Sequence, residues 1–261
     1  MADYIFIRKS RNVLSSFLHL LLNVLLGVGS IFATIVSGSW IIGIALVIVS
    51  KWRMFAVRPR YWFLNIKSNL VDLIVGFSLV LITYFSGTTL MPIHYILAGL
   101  FIIWLVIIKP ITKEIGNLIQ SFFAIVLGTT AAVLLSANLN SVLIIILEFI
   151  IGYGASRHIL CQNSSSKDFG FTAMLCGLIF AEISWLSHSW LIIYSYGTTG
   201  IILPQLAVIL SIVAFVFHKV YEETIRRDGE LKFKNVALPV IFGIVTIAVI
   251  VIGFSEPFFN V

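Results

Sequence analysis

Residues 13–50 are 38 consecutive positions without an Asp, Glu, Lys or Arg. One membrane-spanning helix needs about 20 apolar residues. The run therefore predicts two helices joined by a tight turn between 28 and 40, at "GVGS" (27–30) or "SGSW" (37–40). The earlier turn gives two equal but short helices. The later one leaves about ten residues for the return, too few to span unaided. Further apolar runs follow at about 68–85, 90–109, 117–136, 140–158, 170–195, 199–219 and 236–254. Pro204-Gln205 falls inside the run at 199–219 and predicts a kink. The pattern predicts an all-α, polytopic transmembrane helical bundle of about nine helices, because lipid offers backbone groups no partner outside a helix or a closed barrel. The alternation of barrel strands is absent.

The polar positions between the runs give an orientation. With alternate loops assigned to opposite sides, all 17 Lys and Arg fall on one side. The turns on the other side ("SGSW", "SGTT", "SANLNS", "SYGTTG") carry none. The positive-inside rule makes the basic side cytoplasmic, with the N-terminus inside and the C-terminus outside. The expected location is the cytoplasmic (inner) membrane. The N-terminal Arg8, Lys9 and Arg11 ahead of an apolar run resemble a signal peptide. The run is too long for one, so it is expected to stay as membrane helices.

Composition agrees with this class. The chain is 60% hydrophobic and 11% charged, where a soluble domain carries about 25% charged residues. The net charge of +6 does not point to nucleic acid, since the basic residues are scattered among short loops. Cys161 and Cys176, the two cysteines, give no disulfide framework.

Two stretches repeat. "YFSGTTLMP" (84–92) resembles "YSYGTTGIILP" (194–204), and 22 residues separate the Gly from a Lys in both, Gly87 to Lys109 and Gly197 to Lys219. "NVLSSF" (12–17) likewise resembles "NLIQSF" (117–122). Four helices followed by four in the same order make a parallel repeat. The expected units are 1–110 and 111–220, with 221–261 as a cytoplasmic linker and final helix. In this register Asp72 and Glu182 both stand 15 residues before the repeated Gly, and a shared depth is expected.

Candidate chemistry rests on the acids within the apolar runs, Asp72, Glu148 and Glu182, because an acid at mid-membrane costs about 2.5–3.5 kcal/mol on insertion scales. Lys67 or Arg60 is expected to reach back to Asp72. Glu148 has no base near it in sequence. The basic and aromatic stretch 51–72 contributes Lys51, Arg53, Arg58, Arg60 and Lys67 as a candidate surface for anionic lipid or a partner. Ala124, Gly128, Ala132 and Ser136 recur every four residues, as do Gly29, Ala33 and Ser37, and both rows mark close helix packing. The five histidines show no metal spacing, and no nucleophile elbow, HExxH or phosphate loop occurs. No metal, no cofactor and no enzymatic activity are expected.

Two functional readings follow. The more concrete is a small transporter or channel for a cation, proton or small solute, with the three acids along its route. The other is a non-catalytic membrane subunit or scaffold, binding membrane lipids, membrane protein partners or a second copy.

Overall fold

The computed structural model describes residues 2–87, 91–136, 141–161, 169–188, 192–196, 201–226 and 233–254. They form eleven α-helices: α1 (Ala2–Ser37), α2 (Trp40–Ser50), α3 (Trp52–Phe55), α4 (Trp62–Ser68), α5 (Leu70–Phe85), α6 (Pro92–Ile103), α7 (Glu114–Ser136), α8 (Ser141–Leu160), α9 (Phe169–Ser187), α10 (Gln205–Arg226) and α11 (Phe233–Gly253). A 3-10 turn at Pro59–Tyr61 precedes α4, and a π-turn at Trp104–Ile108 extends α6.

Among the described residues, six helices are long and apolar enough to cross a membrane: α1, α7, α8, α9, α10 and α11. A seventh span results if Pro59–Ser68 and Leu70–Phe85 are taken together, although they meet at 72°. This corrects the expectation of nine spanning helices. The remaining two apolar segments, Trp40–Ser50 and Pro92–Ile108, are present but shorter. At 1.5 Å per residue the 11 residues of α2 cover about 16 Å, roughly half the hydrocarbon thickness.

The first hairpin turns at the later candidate. Gly38 takes φ 60, the left-handed region that glycine enters without a Cβ penalty. The Ser37 hydroxyl donates to the Ala33 carbonyl at 2.6 Å, closing the last turn of α1. Gly43 then lets α2 lie directly on α1, since a Cβ there would collide with Thr34 Oγ1. The row Gly29, Ala33, Ser37 does not make that contact: nothing lies within 4 Å of a Cβ at Gly29.

The kinked helix expected at 199–219 is replaced by a hairpin and a straight start. Ile193–Tyr196 pairs antiparallel with Ile201–Pro204, and α10 begins at Gln205. Proline lacks an N–H and ends the strand without the cost of interrupting a helix. Gln205 Nε2 donates to the Ile250 carbonyl at 2.9 Å and to Tyr194 Oη at 3.0 Å, and the Tyr194 hydroxyl donates to the Phe254 carbonyl at 2.8 Å. These bonds tie the hairpin to the ends of α10 and α11.

The centre of the bundle is the stack α5–α7–α8–α9. Small residues set its spacing. Ala124 and Ala132 are buried on α7, and a Cβ at Gly128 between them would lie 3.0 Å from both Ile151 on α8 and Ile74 on α5. On α9, a Cβ at Gly177 would lie 2.8 Å from the Phe149 carbonyl of α8. Close backbone approach through small residues is what holds helices together where lipid gives no hydrophobic drive. By contrast α11 packs chiefly on α10, where Gly243 meets Val216, and leaves most of its side chains outward.

At the basic end, α10 continues to Arg226, with Lys219 and Glu222 paired at 2.9 Å. Glu223 accepts from Asn235 Nδ2 at 2.7 Å. The Arg226 side chain and residues 227–232 lie outside the described residues.

Candidate functional site

The three candidate acids occupy three different environments. Asp72 is the third residue of α5 and is buried at the basic end. Its carboxylate is paired with Lys51, lies 2.7 Å from Lys109 Nζ, and accepts the Trp104 indole N–H at 3.0 Å. The expected partners, Lys67 and Arg60, are not the ones used. The 72° bend between α4 and α5 carries them away, while the end of α2 delivers Lys51.

The π-turn explains how Trp104 and Lys109 reach one carboxylate. In an α-helix, residues five apart are rotated about 140° from each other. Here the Lys109 N–H bonds the Trp104 carbonyl at 2.8 Å, and this i→i+5 bond brings the two side chains to the same face. The centre carries two ammonium groups against one carboxylate. Burial of Lys51 brings its ammonium down from 10.5 to about 8, with Asp72 opposing the fall and Lys109 adding to it. Burial is the largest effect on Lys109 and acts to lower it, but the Asp72 charge and the side-chain hydrogen bonds together outweigh it and hold that ammonium above its ordinary range.

Beside this centre lies a second polar group that the sequence reading missed. Gln120 Nε2 donates to the carbonyls of Ile108 at 2.8 Å and Ile111 at 3.0 Å, satisfying the backbone where the π-turn ends. Its Oε1 therefore accepts, and His158 Nε2 donates to it at 2.6 Å. Asn117 and Gln120 belong to the repeated "NLIQSF", which was the only signal available for them.

Glu148 lies in the middle of α8 and is fully buried. Thr129 Oγ1 on α7 donates to Oε2 at 3.0 Å, and among the described residues Oε1 has no hydrogen-bond partner. Among the described residues no Lys or Arg forms an ion pair with it. An ionised carboxylate there would be an uncompensated charge in a dry site.

Glu182 is on the outer face of α9 and is exposed. It is the fourteenth residue of that helix, about 20 Å along it from the basic end. The expectation that Asp72 and Glu182 share a depth is therefore corrected: one stands at the start of its helix, the other near the end. The two do not meet, and neither joins Glu148.

The basic stretch divides as well. Lys51 is turned inward, its side chain 10% exposed, and leaves the candidate docking set for the Asp72 centre. Arg53, Arg58 and Arg60 stay exposed, beside outward Trp52, Tyr61, Phe63 and Leu64. Trp62 Nε1 donates to the carbonyls of Phe55 and Val57 and closes the loop. Lys67 is half-buried, its ammonium 5.3 Å from the centre of the Tyr153 ring.

Between α7 and α10 a groove of about 450 Å3 runs from Lys219 and His218 past Phe122 and Phe215 to a floor at Ser121 and Ile125. Most of its lining residues are apolar, with Ser121, Ser211, His218 and Lys219 as the polar ones.

Length and hydropathy of these helices define a multi-pass helical membrane protein. Compared with protein families, curated proteins and solved structures, the chain matches none.

Proposed function

We propose that the protein is a non-catalytic membrane subunit that binds another membrane protein through the outer face of α9. The observation that carries this reading is Glu182. It stands exposed in a stripe of large apolar side chains, Phe171, Met174, Leu178, Trp185 and Leu186. An acid turned to lipid is unfavourable, and such residues mark a face that is covered. Among the described residues no Lys or Arg forms an ion pair with Glu182, so the covering helix is expected to bring its own donor or cation.

The finer architecture belongs to the same proposal. Two four-helix units, 1–110 and 111–220, precede a last segment, 221–261. In support, α1 packs on α2 and α6 while α2 packs on α5, and correspondingly α7 packs on α8 and α10 while α8 packs on α9. The units have diverged: α2 has 11 residues and α8 has 20. By the positive-inside rule the basic end faces the cytoplasm, in an inner membrane.

The test is site-directed cross-linking in native membranes, with a photoreactive residue at Leu178 or Trp185 and a control at Leu238 on α11, which is 80% exposed. A discrete adduct from the α9 sites, lost in Glu182→Leu and absent at the control, supports the reading. Only lipid adducts from all three positions would overturn it.

One observation favours a transport reading instead. The unpartnered Oε1 of Glu148 is the kind of buried group that a proton or cation path uses. Asp72, held by two lysines, and Glu182, turned outward, do not extend such a path.

A further inference from the structure

A cavity of about 110 Å3 lies where α4 bends into α5 against the last turn of α8. Lys67, Ser68, Arg157, His158 and Cys161 line it, and among the described residues none of the lining is acidic. Gly154 creates the meeting point, since a Cβ there would lie 2.8 Å from Leu70 Cδ2. Arg157 Nη1 donates to the Lys67 carbonyl at 2.7 Å, which fixes the guanidinium across the opening. Tyr153 holds the Lys67 ammonium from the other side.

Size and charge agree on the ligand. At about 110 Å3, against about 450 Å3 for the groove between α7 and α10, the cavity is sized for a small group rather than an extended solute. A guanidinium and an ammonium group lining one cavity are the groups that recognise phosphate oxygens. The carbonyl end of α8 disfavours an anion, and the Arg157 guanidinium in its last turn opposes that. The depth also fits. The segment 59–68 lies at 72° to α5 with Phe63 and Leu64 exposed, as a helix does in the headgroup layer.

We propose that this cavity binds a phosphate group, with Arg157 and Lys67 as its cationic ligands. The group comes either from the head of a membrane phospholipid or from a phosphate in solution. The site is distinct from the α9 face and does not depend on the subunit reading.

Cys161 reports occupancy without mutation. It is exposed, whereas Cys176 is buried, so brief maleimide treatment modifies Cys161. The full chain, delipidated in detergent, is labelled with inorganic phosphate, with phosphatidylglycerol in mixed micelles, or with diacylglycerol as the phosphate-lacking control. At about ten times the dissociation constant, occupancy slows labelling about tenfold. Protection by inorganic phosphate assigns a solute site; protection by phosphatidylglycerol alone assigns a lipid site; both support phosphate recognition. Arg157→Gln or Lys67→Gln, eluting as wild type does, loses the protection. No protection by either phosphate source, or undiminished protection in both variants, overturns the proposal.

Discussion

Lys109 holds its ammonium 2.7 Å from the Asp72 carboxylate, joining the π-turn after α6 to the first turn of α5. Lys51 brings the end of α2 to the same group. The carboxylate is thus the point where three segments of the first half of the chain converge. Removing it leaves two ammonium groups in a site built for three charges. Asp72→Asn is expected to cost about 3 kcal/mol, the low end for a broken buried pair, because Lys51 stays buried without compensation while the half-exposed Lys109 side chain turns to solvent. Replacing all three together (Lys51→Met, Asp72→Leu, Lys109→Met) should restore most of the loss, since an apolar cluster of similar volume avoids the desolvation penalty. Thermal unfolding in detergent measures both. An Asp72→Asn protein as stable as wild type would show that the centre does not hold the helices.

The same centre gives a pH dependence. Folded Lys51 releases its proton near pH 8, and the unfolded chain keeps it up to the ordinary 10.5. Between those values the unfolded state binds more protons, so stability rises with pH. Below about pH 8 both states are protonated and the effect is flat. Midpoint temperature measured from pH 7 to 10 should climb above pH 8, and Lys51→Met should flatten the climb. A fall across that window in wild type would contradict the assignment.

Two glycines of similar sequence context should behave oppositely. At Gly177 a Cβ would press on the Phe149 carbonyl at 2.8 Å, and backbone cannot move aside cheaply. Gly177→Ala is expected to destabilise by about 1–3 kcal/mol as overpacking. At Gly29 the same atom meets nothing within 4 Å. Gly29→Ala should be neutral or stabilise by about 0.5–1 kcal/mol, through lower chain entropy in the unfolded state. Paired thermal melts of the two variants decide this.

Apolar length alone made the membrane class and the chain order of the segments legible. It could not say which segments are long enough to cross once the turns are chosen. "GVGS" and "SGSW" are equal as turn signals, and the choice fell to Gly38 because Gly43 then packs on Thr34. The partners of Asp72 were hidden for another reason. Lys67 and Arg60 are near in sequence, but Lys51 and Lys109 arrive through tertiary packing, and a π-turn leaves no mark in the hydrophobic pattern. Pro204 was misread because an Ile- and Leu-rich run looks the same as a strand or as a helix until its start is known. The outward aim of Glu182 was not read from the sequence: in the structure Ala173, Gly177 and Ala181 form the packed side of α9, and Glu182 falls off it.

Glu148 is where the two functional readings separate most cleanly. Its Oε2 accepts from Thr129, its Oε1 has no partner, and no ion pair reaches it among the described residues. Glu148→Gln preserves the size of the side chain and an acceptor for the Thr129 hydroxyl while removing the exchangeable carboxyl proton. Stability should therefore change by less than about 1 kcal/mol, in the range of a single retained hydrogen bond. Proton or cation flux in proteoliposomes then decides the role. If the protein is a subunit without transport, wild type and Glu148→Gln both match empty vesicles, and the acid is a packing group between α7 and α8. If wild type conducts and Glu148→Gln does not, at unchanged stability, the carboxyl is part of a path and the subunit reading gives way. Thr129→Val completes the argument. It removes the one donor to Oε2, so a packing role predicts a stability loss of about 1–3 kcal/mol for the unsatisfied acid. A path that depends on the carboxyl alone predicts altered flux with little change in melting.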